Sequence, residues 1–296
     1  MKSCQFLFFL FLLFSCTNDL TTFSDCDSPK FIGCCDGGEF SVLTFNRSET
    51  ASLNSALRVI QETDPDIVGL QESFGFGLDI ATSLGYCYYG YEESSVAFLS
   101  KYEMEFINDN YIRIYLNEKN IINFFNIHYE PSSYQPHQIR DGQLTTVWEI
   151  EHEAEEARRK DFQKLLTDLQ PLIKDEKIIV VGGVNEPSHL DWNTETANLG
   201  LNFGLEVDWP ISKSLQLIGL KDAYRNIYPN PIQFPGYTWT TISSHDEIHD
   251  RIDYIYYSGN LQPQSTLLIG PDFLSDLVLD IYDSDHRAIL VNFNFQ

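Results

Sequence analysis

The stretch Ile178–Asn193, IIVVGGVNEPSHLDWN, constrains the chain more than any other. Four β-favouring residues, Ile178 to Val181, run straight into Gly182-Gly183, and the polar cluster Asn185, Glu186, Pro187, Ser188, His189 and Asp191 follows at once. An uninterrupted apolar run of this kind reads as a buried strand. Its exit into a polar loop is the place where α/β folds put their chemistry. Taken alone, the same stretch also reads as a strand ending in an ordinary turn, so the rest of the chain has to separate the two.

Elsewhere the same design recurs. FSVLTFN (40–46) is a strand ending on Asn46, and DIVGLQ (66–71) is a second buried strand with Glu72 at its tip. Between them Leu53, Ala56, Leu57 and Ile60 recur at helical spacing, and Asp64-Pro65 closes that helix. A short helix is expected over 77–84, then strands near 86–90, 95–99, 111–116 and 120–127. The run IINFFNI ends on His128. No period appears from Tyr129 to about Thr146, which reads as a long functional loop. A long charged helix is expected over 148–176, interrupted at Pro171, with Leu165, Leu166, Leu169 and Leu172 on its buried side. A helix near 212–219, a turn into a short strand over 236–241, and strands near 252–257, 264–269 and 288–295 complete the chain. Polar residues suited to metal or phosphate chemistry therefore terminate apolar strands five times: Asn46, Glu72, His128, Asn185 and Asp285-His286. Asp253 lies within a further strand, RIDYIYY. One such residue is an ordinary strand-end cap; five along one sheet rim point to a site.

At 296 residues the chain can bury one large core as a single domain, with no internal repeat or second-domain boundary. Its charge is unusual: 19 Lys and Arg against 43 Asp and Glu give −24. Nucleic-acid binders carry a basic surface that replaces phosphate counterions, so duplex DNA is an unfavoured partner. Acidity that keeps an exported protein soluble accounts for the same number.

Met1–Cys16, MKSCQFLFFLFLLFSC, places one Lys before an apolar run too short to span a bilayer. It reads as a signal peptide, and Leu13-Phe14-Ser15-Cys16 followed by Thr17-Asn18-Asp19 is similar to a bacterial lipoprotein signal, with an ordinary cleaved signal as the alternative. On either reading the protein is exported, to the periplasm or cell surface. With lipid on Cys16 it is a membrane-anchored lipoprotein. Residues 17–38 form a linker and 39–296 the folded domain. Beyond Cys16 the thiols are Cys26, Cys34, Cys35 and Cys87, enough for two disulfides in an oxidising compartment.

The motifs VLTFN, PDIVGLQES, FNIH, VNEPSHLDW, RIDYIYY and SDHRAILVNF, in this order from Val42 to Phe293, resemble those of the endonuclease/exonuclease/phosphatase (DNase-I-like) superfamily. The resemblance implies an α/β fold: a four-layer α/β sandwich, two mostly antiparallel β-sheets packed face to face and flanked by helices. It implies hydrolysis of a phosphodiester or phosphomonoester by metal-assisted in-line water attack, with Mg²⁺ or Mn²⁺ as cofactor. Glu72, a hard oxygen donor, would hold the metal with Asn46 beside it, and Asp285 a second ion. Asn185 would donate to a phosphate oxygen, His286 oriented by Asp253 would stabilise the transition state, and His128 would contact the phosphate. Arg140 and Tyr134 would line the substrate side. The superfamily also places an Asp two residues before the Asn, where it holds or deprotonates the attacking water. Here that position is Gly183, by replacement or by loss of a residue, and Glu186 and Asp191 are the nearby carboxylates available to stand in. The expected substrate is a small phosphoester or lipid headgroup. The competing reading is a catalytically inactive relative that binds a phosphorylated ligand or a partner protein.

Overall fold

The computed structural model describes residues 38–296 except His245. The expected signal segment, Cys16 and most of the expected linker lie outside the described residues.

In chain order the strands are β1 (Glu39–Asn46), β2 (Ile67–Gln71), β3 (Cys87–Tyr89), β4 (Val96–Ser100), β5 (Glu103–Asn108), β6 (Tyr111–Asn117), β7 (Asn120–His128), β8 (Ile178–Gly183), β9 (Lys221–Asp222), β10 (Asp253–Tyr257), β11 (Leu261–Gly270), β12 (Leu277–Val278) and β13 (Ala288–Phe295). The helices are α1 (Leu53–Thr63), α2 (Phe76–Leu84), α3 (Gln135–Arg140), α4 (Val147–Leu169), α5 (Thr194–Asn198), α6 (Pro210–Leu217) and α7 (Ala223–Ile227). A seven-stranded sheet runs β12-β11-β13-β1-β2-β4-β3, and a six-stranded sheet runs β5-β6-β7-β8-β10-β9. Parallel pairs occur at β1/β2, β7/β8 and β11/β12; the other pairings are antiparallel.

Alternation along the strands builds the layers. Phe40 and Val42 of β1, Ile179 and Val181 of β8, and Ile255 and Tyr257 of β10 meet in the core between the sheets. Leu43 and Phe45 point the other way, onto α1 and α2. Ile178 and Val180, with Tyr254 and Tyr256, face Leu165 and Leu169 of α4 and Ile211 and Leu215 of α6. All four apolar residues of β8 are at most 1 % exposed, and burying each contributes about 1.5–3 kcal/mol. The expected sandwich of two mostly antiparallel sheets under helices is the observed one.

A polar stitch crosses this otherwise apolar interior. Asn126 of β7 donates through Nδ2 to the carbonyls of Leu70 (3.0 Å) and Ala97 (2.9 Å), and its Oδ1 accepts from Gln71 Nε2 at 2.6 Å. Thr44 Oγ1 in turn donates to Gln71 Oε1 at 3.3 Å. Such a network is stabilising only when its members find partners, and these bonds tie one sheet to the other. The stitch lies one or two residues short of Asn46, Glu72 and His128, so it fixes the height at which those side chains leave their strands.

Some local expectations change. The span 129–146 is not a continuous loop, because α3 forms inside it with Pro136 in its first turn. The long helix stops at Leu169, ahead of Pro171, which has no N–H to continue the ladder. Its start is a capping box: Thr146 and Glu149 satisfy each other's backbone N–H. β5 was not foreseen. Cys87 is disulfide-bonded, and every other cysteine of the chain lies in residues 1–37.

Candidate active site

Strand register brings the candidate residues to one rim. Asn46 ends β1, Glu72 follows β2, His128 ends β7, and Asp253 begins β10. His128 pairs with Gly183 across the parallel β7/β8 ladder, and Asp253 pairs with Gly183 across the antiparallel β8/β10 ladder. Position 183 therefore sits between the two. His286 enters from the segment just before β13, and Asn185 from the turn after β8, so neither terminates a strand in the way expected. Glu72 and Asn185 both adopt left-handed backbone, φ 53° and 51°, which is uncommon away from glycine. Backbone of this kind aims a side chain off the strand axis.

His286 Nδ1 lies 2.8 Å from Asp253 Oδ2, and its Nε2 is 3.4 Å from Asn46 Nδ2. Burial alone would lower the pKa of His286, but Asp253 at hydrogen-bond distance, with Asp285 and Glu72 further off, raises it overall. His128 moves the other way: burial lowers its pKa against the partial compensation of Glu72. One imidazole is thereby biased towards the cation and the other towards the neutral ring, a separation typical of sites that move protons or stabilise anions.

Glu72 accepts from Asn46 Nδ2 at 3.0 Å and from the Glu49 N–H at 2.7 Å, with His128 Nε2 3.8 Å away. Asn46 Oδ1 accepts from the Ser48 N–H, so the Asn46 amide turns its donor side to Glu72 and His286. Among the described residues no group of three or more His, Cys, Asp or Glu side chains is gathered as a metal cage. One partly exposed carboxylate at a rim nonetheless suits Mg²⁺ or Mn²⁺. Such ions keep several waters and bind through one or two carboxylates plus substrate oxygens. Asp285 Oδ2 accepts from Trp239 Nε1 at 3.2 Å.

Asn185 donates through Nδ2 to the Tyr129 carbonyl at 2.6 Å, and its own carbonyl accepts from Arg158 Nη2. Arg158, buried on α4, also donates to Gln135 Oε1 at 3.0 Å. Sequence reading missed Arg158, Gln135 and the stitching Asn126. The Asn126 signal was a polar residue inside the apolar run IINFFNI; Arg158 looks like its neighbour Arg159, which is exposed and paired to Glu155 and Glu156.

On the substrate side, Tyr134 donates its buried hydroxyl to Asp250 Oδ2 at 2.6 Å and packs edge-on against His137 and Trp239. Trp239 lies 6.5 Å from the His286 ring. Tyr134 thus supports an aromatic wall beside the site. Arg140 is engaged at its foot, donating to Asp141 (2.8 Å) and to the Asp246 carbonyl (2.8 Å).

Position 183 has a clear geometry. β8 runs without a bulge against both neighbours, and the ladder continues past it, from the Tyr129 N–H to the Gly183 carbonyl and from the Val184 N–H to the Ile252 carbonyl. No carboxylate stands at position 183, between His128 and Asp253. Neither expected stand-in comes within 4 Å of a Cβ at 183. Glu186 is wholly buried and accepts from the Ile211 N–H at 2.9 Å. Burial pushes its pKa up to about 7, although Arg158 and that N–H pull it down. Asp191 is clamped by Arg225 and by Arg251, the latter at 2.8 Å.

Comparison with known proteins bears on the fold and the family. The family model "Endonuclease/Exonuclease/phosphatase family" matches residues 37–286. The uncharacterized protein F14F9.5 of Caenorhabditis elegans is 24% identical over 322 residues, spanning 98% of this chain and 99% of the relative. Among solved structures, a humanized TDP2 of D. rerio superimposes with a TM-score of 0.57 at 18% identity, covering 87% of this chain and 99% of that one. TDP2 from C. elegans gives 0.56 at 16% identity, over 87% and 76% of the respective chains. An AP endonuclease from Archaeoglobus fulgidus gives 0.54 at 18%, over 85% and 98%. At these identities the structural likenesses carry the fold, and the family model carries the membership. The chain belongs to the endonuclease/exonuclease/phosphatase family.

Proposed function

We propose that the protein is an exported, divalent-metal-dependent phosphoesterase whose turnover is slowed by glycine at position 183. The observation that carries this reading is the His286–Asp253 pair, 2.8 Å apart, on the same rim as Asn46 and Glu72. His286, biased towards its charged form, would stabilise the negative charge that builds on the phosphoryl oxygens. Asn185, held from both ends by Tyr129 and Arg158, keeps one amide N–H for a phosphate oxygen. Glu72 would hold Mg²⁺ or Mn²⁺, which when bound polarises the phosphoryl group and steadies the leaving oxyanion. Asp285, turned to Trp239, makes a single-ion site the simpler arrangement.

The substrate proposed is a small phosphoester or a lipid headgroup. The net charge of −24 repels a polyanion at long range. One relative is described as D. rerio TDP2 complexed with single strand DNA product, and that description belongs to that protein. Export is supported by the disulfide at Cys87, a bond that persists in oxidising compartments. Lipid attachment at Cys16 is part of the same proposal.

Mn²⁺-dependent hydrolysis of bis-p-nitrophenyl phosphate tests the enzyme reading. Slow turnover abolished in Glu72→Ala and His286→Ala is expected. The glycine at 183 also favours a second reading, a catalytically inactive binder of phosphorylated ligands. No turnover of any phosphoester by wild type or Gly183→Asp would leave that reading in place.

A further inference from the structure

Resting on the phosphoesterase reading, we infer that Asp253 Oδ1 and His128 Nε2 hold the attacking water beside Gly183, with Asp253 as the proton acceptor. A side chain at 183 would begin in that space: its Cβ would lie 3.1 Å from Asp253 Oδ1 and 3.5 Å from His128 Cδ2. Both polar atoms are buried and have no hydrogen-bond partner among the described residues. Asp253 is otherwise fully engaged. Its Oδ2 bonds His286, and its N–H donates to Thr238 Oγ1 at 3.1 Å. An unsatisfied buried polar group costs about 1–3 kcal/mol, and more when charged, so one water shared by these two atoms relieves both.

The other carboxylates near the turn are excluded by position. Glu186 bonds the Ile211 N–H through Oε1 and leaves Oε2 unbonded, but none of its atoms lies within 4 Å of a Cβ at 183, and Asp191 is locked between Arg225 and Arg251. Only Asp253 presents an unbonded carboxylate oxygen towards position 183 among the described residues. The carboxylate that orients His286 with one oxygen thus handles water with the other. In the reaction the water oxygen forms the new bond to phosphorus as the phosphorus–oxygen bond to the leaving group breaks. The electron pair stays on the leaving oxygen, which takes a proton from bulk solvent. The water's proton passes to Asp253 Oδ1 and is later released to solvent.

The test compares the full-length wild type with Gly183→Ala, whose methyl group enters the water's space without supplying a carboxylate. Crystal structures should show an ordered water within hydrogen-bond reach of both atoms in wild type and none in the variant. With Mn²⁺ and bis-p-nitrophenyl phosphate, kcat should fall at least about 10-fold at unchanged KM and Mn²⁺ affinity, with the melting temperature lowered by no more than about 4 °C. Wild-type turnover with no shared water, or equal kcat in the two proteins, overturns this inference and leaves the enzyme reading intact. A shared water in a wild type that hydrolyses no phosphoester overturns the enzyme reading, and with it the catalytic role of that water. Should Gly183→Ala fold poorly, the wild-type crystal structure carries the test alone: no water shared by Asp253 Oδ1 and His128 Nε2 in an active wild type overturns the inference.

Discussion

Two adjacent glycines set the residue-scale behaviour of the site. Gly182 has φ +126°, and a Cβ there would stand 1.9 Å from the Ile127 carbonyl oxygen. Gly183 needs no glycine backbone, and its added Cβ would meet only side-chain atoms, none nearer than 3.1 Å. Gly182→Ala should therefore destabilise the fold by more than about 3 kcal/mol, and Gly183→Ala by about 1 kcal/mol or less, measured by urea unfolding. Equal losses would contradict the assigned backbone geometry. Glu72→Ala should abolish Mn²⁺ binding in calorimetric titration, since no cage of other acidic or histidine groups is gathered among the described residues. Unchanged affinity would remove Glu72 as the ligand. The Gly-Gly pair was legible as the end of a strand, and the missing carboxylate was legible from the motif. Which glycine is structurally required depended on the close approach of β7, which one chain segment does not encode.

At the scale of elements, the strands with alternating or continuous apolar runs were legible because burial repeats with the pleat. β5 was not, because it is the edge of its sheet and four of its six residues are exposed. α3 was not, because six residues carrying a proline show no helical apolar face. The turn after β8 depends on α4 through Arg158, and this coupling is sensitive to pH. Burial raises Glu186 to about 7 and Asp250 to about 6, both above their ordinary values. The native state therefore holds these protons more tightly than the unfolded chain does. Their contribution to stability is complete below about pH 4, the ordinary carboxylate range, and is lost as pH rises through about 6 and then 7. Melting temperature should fall between pH 5 and pH 8, and Glu186→Gln, which mimics the protonated acid, should reduce that slope. A slope unchanged in Glu186→Gln would show that the carboxyl is not the group responsible. Arg158→Met should cost about 1–3 kcal/mol, because it leaves the buried Gln135 Oε1 and the Asn185 carbonyl without their donor.

For the whole molecule, the sandwich and the identity of its rim were legible from six short motifs in order, because the residues that end or begin central strands meet wherever the sheets do. Charge was legible as well, and it bears on partners: at −24, the protein should bind duplex DNA more weakly than micromolar without divalent metal at about 150 mM salt. Sub-micromolar binding in a mobility-shift titration would restore a nuclease reading. The central claim is that an otherwise assembled phosphoesterase site lacks one carboxylate. The most direct measurement is Mn²⁺-dependent turnover of a phosphodiester by wild type and by Gly183→Asp under identical conditions. The account predicts slow but measurable wild-type turnover, dependent on Glu72, and a rate about 10²-fold higher in Gly183→Asp. Measurable wild-type turnover that Gly183→Asp leaves unchanged, or no turnover by either protein, would contradict it.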